Sequence, residues 1–249
     1  MLRMIVCDWN GTLFREPLDK TFFLGLCRRA FWRALRRGKL RKTLRLMGLG
    51  ARCLGLYLAA KGHPDRATRH VGRIVDLLNP DVFRGLARDD LDAYTRRYAR
   101  RIGPALDRRL LEPLLRVARE TGIPVGVVSS ACRGAIEAAL SEADCAFDFV
   151  LANEFRMDGG VTASFDFVIA DNKLDVLTDL LAERNVAAAD VMYIGDSPQD
   201  EPCLHHVGTP VVSFWATAAH KERFSRTCGA LAPADGAAFE QCLRAAAGG

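Results

Sequence analysis

Residues 5–13 read Ile-Val-Cys-Asp-Trp-Asn-Gly-Thr-Leu, an apolar run that ends in the polar residues Asp8 and Asn10 and the turn former Gly11. The stretch Leu2–Cys7 predicts a short buried strand, because it is mostly apolar and is bounded by polar residues. Continuous rather than alternating apolar character is typical of a strand that is covered on both faces, as in a parallel sheet. We therefore expect Asp8 to lie at the carboxyl end of a central strand.

Four later segments repeat this strand pattern. They are Ile123–Val128, Phe147–Ala152, Val191–Ile194 and Pro210–Phe214. Leucines at helical spacing lie between strands, over residues 106–117 and 174–181. This alternation predicts an α/β fold with a doubly wound, mostly parallel sheet, which binds ligands at the carboxyl ends of its strands. The pair Gly159-Gly160 within residues 154–169 predicts an additional hairpin.

Residues 14–103 show no convincing strand signal and carry helical apolar stripes instead. One stripe consists of Cys27, Ala30, Phe31, Ala34 and Leu35. Four helix-breaking sites divide the region into helices: Gly38, Gly62-His63-Pro64, Asn79-Pro80 and Gly103-Pro104. The chain is therefore predicted to contain an α/β core of residues 1–13 and 104–249, interrupted by a helical insertion of residues 14–103.

The composition excludes several classes of protein. The chain has 249 residues, 49% of them hydrophobic, so it can bury a core without disulfides. Its eight cysteines form no Cys-x-x-Cys pair and are expected to be reduced thiols. The N-terminal apolar run is too short for a signal peptide, and Arg45 and Arg52 interrupt the most apolar stretch, Leu44–Ala60. We expect a cytoplasmic protein.

Polar residues follow several of the predicted strands, where a doubly wound sheet places its site. They are Asp8, Ser129, Lys173, Asp196 and Asp200. Singly, each has an ordinary explanation as a helix cap, a turn residue or a solvated side chain. Together they would bring carboxylates, a hydroxyl group and a cation to one edge of the sheet.

Their order along the chain resembles the motifs of the haloacid dehalogenase superfamily. Residues 8–12, Asp-Trp-Asn-Gly-Thr, are similar to a first motif that usually reads DxDGT in the family's phosphatases. Residues 127–129 resemble the second motif, Lys173 the third, and residues 195–200, with the pattern GDxxxD, the fourth. The helical insertion resembles the family's C1-type cap, and residues 152–162 are similar to a hairpin of phosphoserine-phosphatase-like members.

The resemblance implies a Mg²⁺-dependent phosphatase that acts on a small phosphorylated substrate through an aspartyl-phosphate. It assigns catalysis to Asp8 as nucleophile, Asn10, Ser129 and Lys173. It assigns the metal to Asp8, the backbone carbonyl of Asn10, Asp196 and, directly or through water, Asp200. It assigns substrate binding to Gly11, Ser129, Ser130 and Lys173.

Position 10 departs from the family pattern, because it holds Asn where the phosphatases usually hold a second Asp. An amide forms hydrogen bonds but cannot carry a proton, and loss of general acid–base catalysis typically costs about 10²–10⁴-fold in rate. Three functions remain open. The protein is a phosphatase that tolerates Asn10, a phosphotransferase with a long-lived phospho-Asp8, or a weakly active protein that mainly binds a membrane or partner.

Charge is distributed unevenly along the chain. Residues 20–64, here called the basic segment, contain twelve Lys and Arg and no Asp or Glu. The remaining 23 basic and 30 acidic residues are net −7, although the whole chain is +5. Three uses of the basic segment are open: attraction of an anionic substrate, contact with an anionic membrane surface, or docking of an acidic partner. Nucleic acid is not expected, since no nucleic-acid-binding motif accompanies the charge.

Overall fold

A computed structural model describes residues 1–15, 18–60 and 64–248. Lys61 of the basic segment and the predicted helix break at residues 62–63 lie outside the described residues. Among the described residues, none of the helices combines the length and the hydropathy that crossing a bilayer requires.

The described strands form one six-stranded sheet in the order β4-β3-β2-β1-β5-β6. The strands are β1 (Met4–Cys7), β2 (Val125–Cys132), β3 (Phe149–Asp158), β4 (Val161–Asp166), β5 (Val191–Gly195) and β6 (Thr209–Val212). Neighbouring strands are parallel except for β3 and β4, which form the predicted antiparallel hairpin. The sheet confirms the predicted α/β fold class.

Helices precede, connect and flank these strands. They are α1 (Leu18–Arg36), α2 (Leu40–Ala60), α3 (Pro64–Leu78), α4 (Arg88–Ile102), α5 (Arg108–Thr121), α6 (Arg133–Glu142), α7 (Lys173–Glu183), α8 (Glu201–His206), α9 (Ala218–Cys228) and α10 (Gly236–Ala247). The first four, α1 to α4, come between β1 and β2 and are here called the helical insertion. The division of the chain into an independent core and cap stays a prediction.

The central strand β1 is covered on both faces. Ile5 and Cys7 belong to one apolar cluster, to which α5, α6 and α10 contribute. Met4 and Val6 belong to another, to which α7 and α8 contribute. Because successive side chains of a strand point to opposite faces, a strand between two helical layers must be apolar at every position. This explains the unbroken apolar run of the sequence.

Strand β2 extends further than the sequence pattern predicts. β2 continues to Cys132, because the backbone resumes pairing with β3 at Asn153 after a bulge. The apolar sequence pattern stops at Ser129 and Ser130 because their side chains carry hydroxyl groups, whereas the strand continues through the bulge. The extra length carries the motif residues on ordered strand rather than on a loop.

The apolar stripe predicted on α1 is only partly buried. Ala34 is buried, but Leu35 is exposed. The buried face of α1 instead includes Phe22, Phe23 and Leu26. The ring of Phe22 contacts Tyr94 and Tyr98 of α4, so the packing partner, and not the periodicity alone, selects the buried face.

The helical insertion is attached to the hairpin β3–β4 just before α4. The backbone N–H of Gly85 donates to the carbonyl of Thr162 at 2.8 Å, and that of Arg88 donates to Gly160 at 3.0 Å. The hydroxyl of buried Thr162 donates to the carbonyl of Phe83. These bonds hold the start of α4 against the turn of the hairpin.

Candidate active site

Strand register brings three sequence motifs to one edge of the sheet. Cys7 pairs with Val127 of β2 and with Ile194 of β5. The backbone N–H of Asp8 donates to the carbonyl of Ile194 at 2.8 Å. Asp8 and Asp196 therefore directly follow β1 and β5, and Ser129 lies on β2 two positions beyond Val127, so all three lie near the same edge of the sheet.

Lys173, the first residue of α7, lies between two buried carboxylates. Its Nζ donates to Oδ1 of Asp8 at 2.7 Å and to Oδ1 of Asp200 at 2.7 Å. The side chains of Lys173, Asp8 and Asp200 are each at most 4% exposed. Hydrogen bonds to ionised partners in such surroundings are short and strong.

Asp200 is held by a second set of donors around the fourth motif. Its Oδ1 also accepts from the hydroxyl of Tyr193 at 2.9 Å. Its Oδ2 accepts from the hydroxyl of Ser197 at 2.8 Å and from the backbone N–H groups of Asp196 and Ser197. Both oxygens of Asp200 are thus engaged by the protein itself, so Asp200 is oriented to hold Lys173 and the turn at residues 196–200.

Asp196 differs from Asp200, because its Oδ1 is buried and has no hydrogen-bond partner among the residues that the structure describes. Carboxylate oxygens of Asp8, Asp196 and Asp200 lie within 4.8 Å of one another. Lys173 pairs with Asp8 and Asp200 but not with Asp196, so the positive charge of one ammonium group stands against three carboxyl groups. Oxygen ligands at this spacing suit a hard divalent cation such as Mg²⁺.

The pKa values of the carboxyl groups show the same imbalance. Burial raises the pKa of Asp8 to about 6, although Lys173 opposes the rise. Burial, with Asp8 and Asp200 nearby, raises the pKa of Asp196 to about 8. Burial also acts on Asp200, but Lys173 and the hydroxyl donors hold the pKa of that carboxyl below its ordinary value. Burial lowers the pKa of Lys173, but the two carboxylates raise it by more. A cation beside Asp196 would remove the cost of ionising it.

Two glycines let the motif backbones approach these carboxylates. Gly11 has a φ of +76°, and a Cβ at this position would overlap the Asp196 carboxylate. A Cβ at Gly195 would overlap Asp200 in the same way. The hydroxyl of Ser213, just after β6, donates to the carbonyl of Gly11 at 2.7 Å and holds this turn. The glycine of the first motif therefore lies directly against the carboxylate of the fourth.

The second motif lies on the neighbouring strand β2. Ser129 is fully buried, and its hydroxyl accepts from the backbone N–H of Ala131 at 3.3 Å. The carbonyl of Ser130 accepts from the side chain of Asn153 at 2.6 Å. Asn153 also exchanges two hydrogen bonds with the backbone of Ile169. The end of β2 is thereby tied to the loop that precedes Lys173.

Motif reasoning missed three of the side chains that build this site. Tyr193, Asn153 and Ser213 bind the motif residues from within strands or just after them. A polar residue inside an apolar strand was the available signal for Tyr193, since buried polar groups need partners. The first motif residue Asn10 forms a backbone bridge with Phe14, which places it in the turn that follows β1.

A cavity of about 580 Å³ lies between α4, α6 and β3. Its lining includes Arg96, Cys132 and Phe155, but no member of the Asp8, Asp196 and Asp200 cluster. Arg133 at its edge pairs with Glu137 at 2.8 Å. The carboxylate cluster therefore does not line this cavity.

Solved structures of similar fold include several hydrolases. A cytosolic 5'-nucleotidase IIIB bound to cytidine has a TM-score of 0.64 at 15% identity, covering 98% of this chain and 84% of that chain. A substrate-bound phosphoserine phosphatase has a TM-score of 0.55 at 15% identity, covering 90% of each chain. A HAD family hydrolase from Salmonella enterica serovar Typhi has a TM-score of 0.52 at 20% identity, covering 88% of this chain. This chain spans 64% of the length of that hydrolase. At these identities, the likeness concerns the fold.

The search of curated proteins finds no match to the chain. The family model described as haloacid dehalogenase-like hydrolase matches residues 5–205. This range runs from β1 to α8 and contains all four motifs that surround the carboxylate cluster. The chain belongs to the haloacid dehalogenase-like hydrolase family.

Proposed function

We propose that the protein is a Mg²⁺-dependent phosphatase that hydrolyses a small phosphomonoester through an aspartyl-phosphate on Asp8. The observation that carries this proposal is the buried cluster of Asp8, Asp196 and Asp200 around Lys173. Such a cluster is costly unless it binds a cation, because neighbouring carboxylates repel one another. Family membership and the phosphatases of similar fold support the same reaction class.

The donor set fits Mg²⁺, since it offers oxygens only and includes the unpartnered Oδ1 of Asp196. We assign the metal to Asp8, the backbone carbonyl of Asn10 and Asp196. Asp200, whose oxygens are already engaged, acts through water or by orienting Lys173. When bound, the ion screens the negative charge of the phosphoryl group from the attacking carboxylate.

In the first step, a carboxylate oxygen of Asp8 attacks phosphorus and the bond to the leaving oxygen breaks. Asp8 suits this role, because its pKa of about 6 leaves it mostly ionised at neutral pH. Lys173 holds the carboxylate in place and offers positive charge to the transferred group. Ser129 and Ser130 donate to the phosphoryl oxygens in this scheme, whereas the backbone N–H of Gly11 already donates to the carbonyl of Phe14 at 2.6 Å. The effect is positioning with electrostatic stabilisation.

In the second step, water attacks the phosphorus of phospho-Asp8, releases phosphate and restores the carboxylate. This water must lose a proton, and the amide of Asn10 cannot accept it. The same amide cannot protonate a poor leaving group in the first step. We therefore expect the enzyme to favour substrates with good leaving groups and to accumulate phospho-Asp8.

The helical insertion is proposed as the cap over this site, with residues 1–13 and 104–249 as the catalytic core. Its last helix, α4, is held to the hairpin turn by the Arg88 to Gly160 hydrogen bond. A cap anchored in this way would select the substrate by contacts beyond the phosphoryl group, since a fold alone does not determine a substrate.

The test is phosphate release from an aryl phosphate with and without Mg²⁺, using wild type, Asp8→Asn and Asp179→Asn. Asp179 is an exposed carboxylate on α7 and serves as the matched control. We expect Asp8→Asn to lose Mg²⁺-dependent release while Asp179→Asn keeps it. Unchanged release by Asp8→Asn would refute the proposed nucleophile.

A second candidate function, a phosphotransferase, follows from Asn10. A phospho-Asp8 that water attacks slowly can pass its phosphoryl group to an alcohol instead. Mass spectrometry of wild type after incubation with aryl phosphate should show a phosphorylated protein, and Asn10→Asp should reduce it and raise phosphate release. Faster turnover of aryl phosphate by wild type on adding an alcohol acceptor, with the phosphorylated acceptor as product, would favour transfer over hydrolysis.

A further inference from the structure

Helix α2 presents an unusual outer face. The apolar residues Leu40, Leu44, Met47, Ala51, Leu54 and Leu58 recur at alternating spacings of four and three and share one stripe of the helix. Leu40 is 67% exposed, and the other large side chains of the stripe are 57–58% exposed. With a rise of ~1.5 Å per residue, the stripe is about 27 Å long.

This stripe is not the face by which α2 packs on the rest of the protein. Thr43, Leu46 and Leu49 lie on a different side of the helix and are buried. A surface helix ordinarily buries one apolar stripe and carries polar residues on the other side. Here a second apolar stripe remains uncovered, and exposed apolar patches of this kind mark interaction sites.

The neighbouring helix α1 adds to the uncovered apolar surface. Gly38 lies in the turn between α1 and α2. Leu35 before it and Leu40 after it are both exposed. Leu24 and Trp32 on α1 are exposed as well, and the Trp32 ring packs edge-on against Phe31. Aromatic side chains are favoured at membrane interfaces, where one end is apolar and the other is wet.

Positive charge borders the stripe and is not balanced nearby. Arg41, Lys42 and Arg52 are exposed on α2 and form no ion pair with any residue that the structure describes. Arg45 pairs with Asp81 at 2.9 Å and remains 68% exposed. The whole basic segment carries twelve Lys and Arg and no acidic residue.

The charge decides which partner fits this surface. A second copy of the chain would bring two basic segments together and would be opposed by their repulsion. An anionic bilayer offers the opposite charge, accepts leucines at the boundary of headgroups and acyl chains, and lets Lys and Arg reach the phosphates. Attraction of a soluble substrate would explain the charge but not the exposed leucines.

We propose that the outer face of α2, with the adjoining end of α1, docks the protein on an anionic phospholipid surface. In this arrangement α2 lies in the plane of the interface, with its stripe in the bilayer and Thr43, Leu46 and Leu49 on the protein side. This inference concerns the outside of the helical insertion and holds whether or not Asp8 is the nucleophile.

The test is sedimentation of the full chain with vesicles of phosphatidylcholine alone or with 30% phosphatidylglycerol, at low and high salt. We expect binding to the anionic vesicles at low salt and little binding to the neutral ones. Arg41→Gln with Lys42→Gln should weaken binding about thirtyfold, from about fivefold per charge near a membrane surface. Leu44→Ser with Leu54→Ser should weaken it at least tenfold. The Asp8→Asn variant should bind as wild type does, which separates this inference from the proposed reaction.

Matched controls come from exposed residues outside the basic segment. Val168→Ser removes an exposed apolar side chain, and Arg100→Gln removes an exposed charge of α4. Neither should change vesicle binding, and all variants should melt within a few degrees of wild type.

Failure of wild type to bind anionic vesicles at low salt would overturn the inference, as would equal binding by the leucine variants. A dimer in sedimentation equilibrium that the leucine substitutions abolish, without vesicle binding, would also overturn it and identify a second copy as the partner.

Discussion

Replacing Lys173 with methionine tests the electrostatics of the carboxylate cluster most directly. Methionine keeps most of the length of the side chain but removes both hydrogen bonds of 2.7 Å to Asp8 and Asp200. Removing one partner of a buried ion pair typically destabilises a protein by about 3–5 kcal/mol, because the remaining charge stays buried. We expect a loss of about that size in the free energy of unfolding at pH 7.5.

The loss in the free energy of unfolding should be smaller at lower pH. In the variant, the pKa of Asp8 rises further above its unfolded value, because Lys173 no longer opposes burial. A group with a raised native pKa stabilises the fold while protonated and loses this contribution as pH rises through that pKa. The wild-type Asp8 is itself protonated below about pH 6. Between pH 7.5 and 5.5 the difference between variant and wild type should therefore shrink by about 2 kcal/mol, at ~1.4 kcal/mol per pH unit.

The assay is urea unfolding followed by circular dichroism, in EDTA, at pH 7.5 and 5.5. Lys42→Met serves as the control, because Lys42 is exposed and should change the free energy of unfolding by less than about 0.5 kcal/mol. This reasoning would be refuted if the free energy of unfolding of Lys173→Met were within about 1 kcal/mol of the wild-type value at pH 7.5. An equal loss of that free energy at pH 7.5 and at pH 5.5 would also refute it.

Three further predictions concern the same cluster. Asp196→Asn should raise the melting temperature of the metal-free protein at pH 8, because it removes a carboxylate whose burial raises its pKa to about 8. The same substitution should abolish the stabilisation by added Mg²⁺. Differential scanning calorimetry with and without the ion checks both results. Mg²⁺ affinity measured by titration calorimetry should fall by up to about tenfold per pH unit below pH 8, since the ion competes with the proton on Asp196; a flat profile from pH 8 to 6 would contradict the carboxylate assignment. Gly11→Ala should lower the free energy of unfolding by about 1–3 kcal/mol, because the φ of +76° and the nearby Asp196 carboxylate leave no room for a Cβ. The control is Gly50→Ala on α2, which has open space around it and should be neutral or stabilising in the same melts.

Local patterns predicted the sheet well, because a strand buried on both faces must be apolar throughout. The runs at β1, β5 and β6 and the hairpin around Gly159-Gly160 lie where the sequence indicates. The end of β2 was missed, since Ser129 and Ser130 interrupt the apolar pattern, whereas the strand continues through a bulge to Cys132. Leu35 belongs to the apolar stripe of α1 but is exposed, because periodicity identifies a stripe but not what covers it.

By itself, the sequence determined where strands and helices succeed one another along the chain and which polar residues follow the strands. Both follow from short-range periodicity and from motif spacing. Only the tertiary structure decided which of these residues meet. Lys173 joins Asp8 and Asp200, which lie 165 and 27 positions away along the chain. Tyr193, which lies in an apolar strand and was not predicted as a site residue, donates a further hydrogen bond to Asp200. The uncovered stripe of α2 is likewise a tertiary property, because whether an apolar face is core or surface depends on what packs against it.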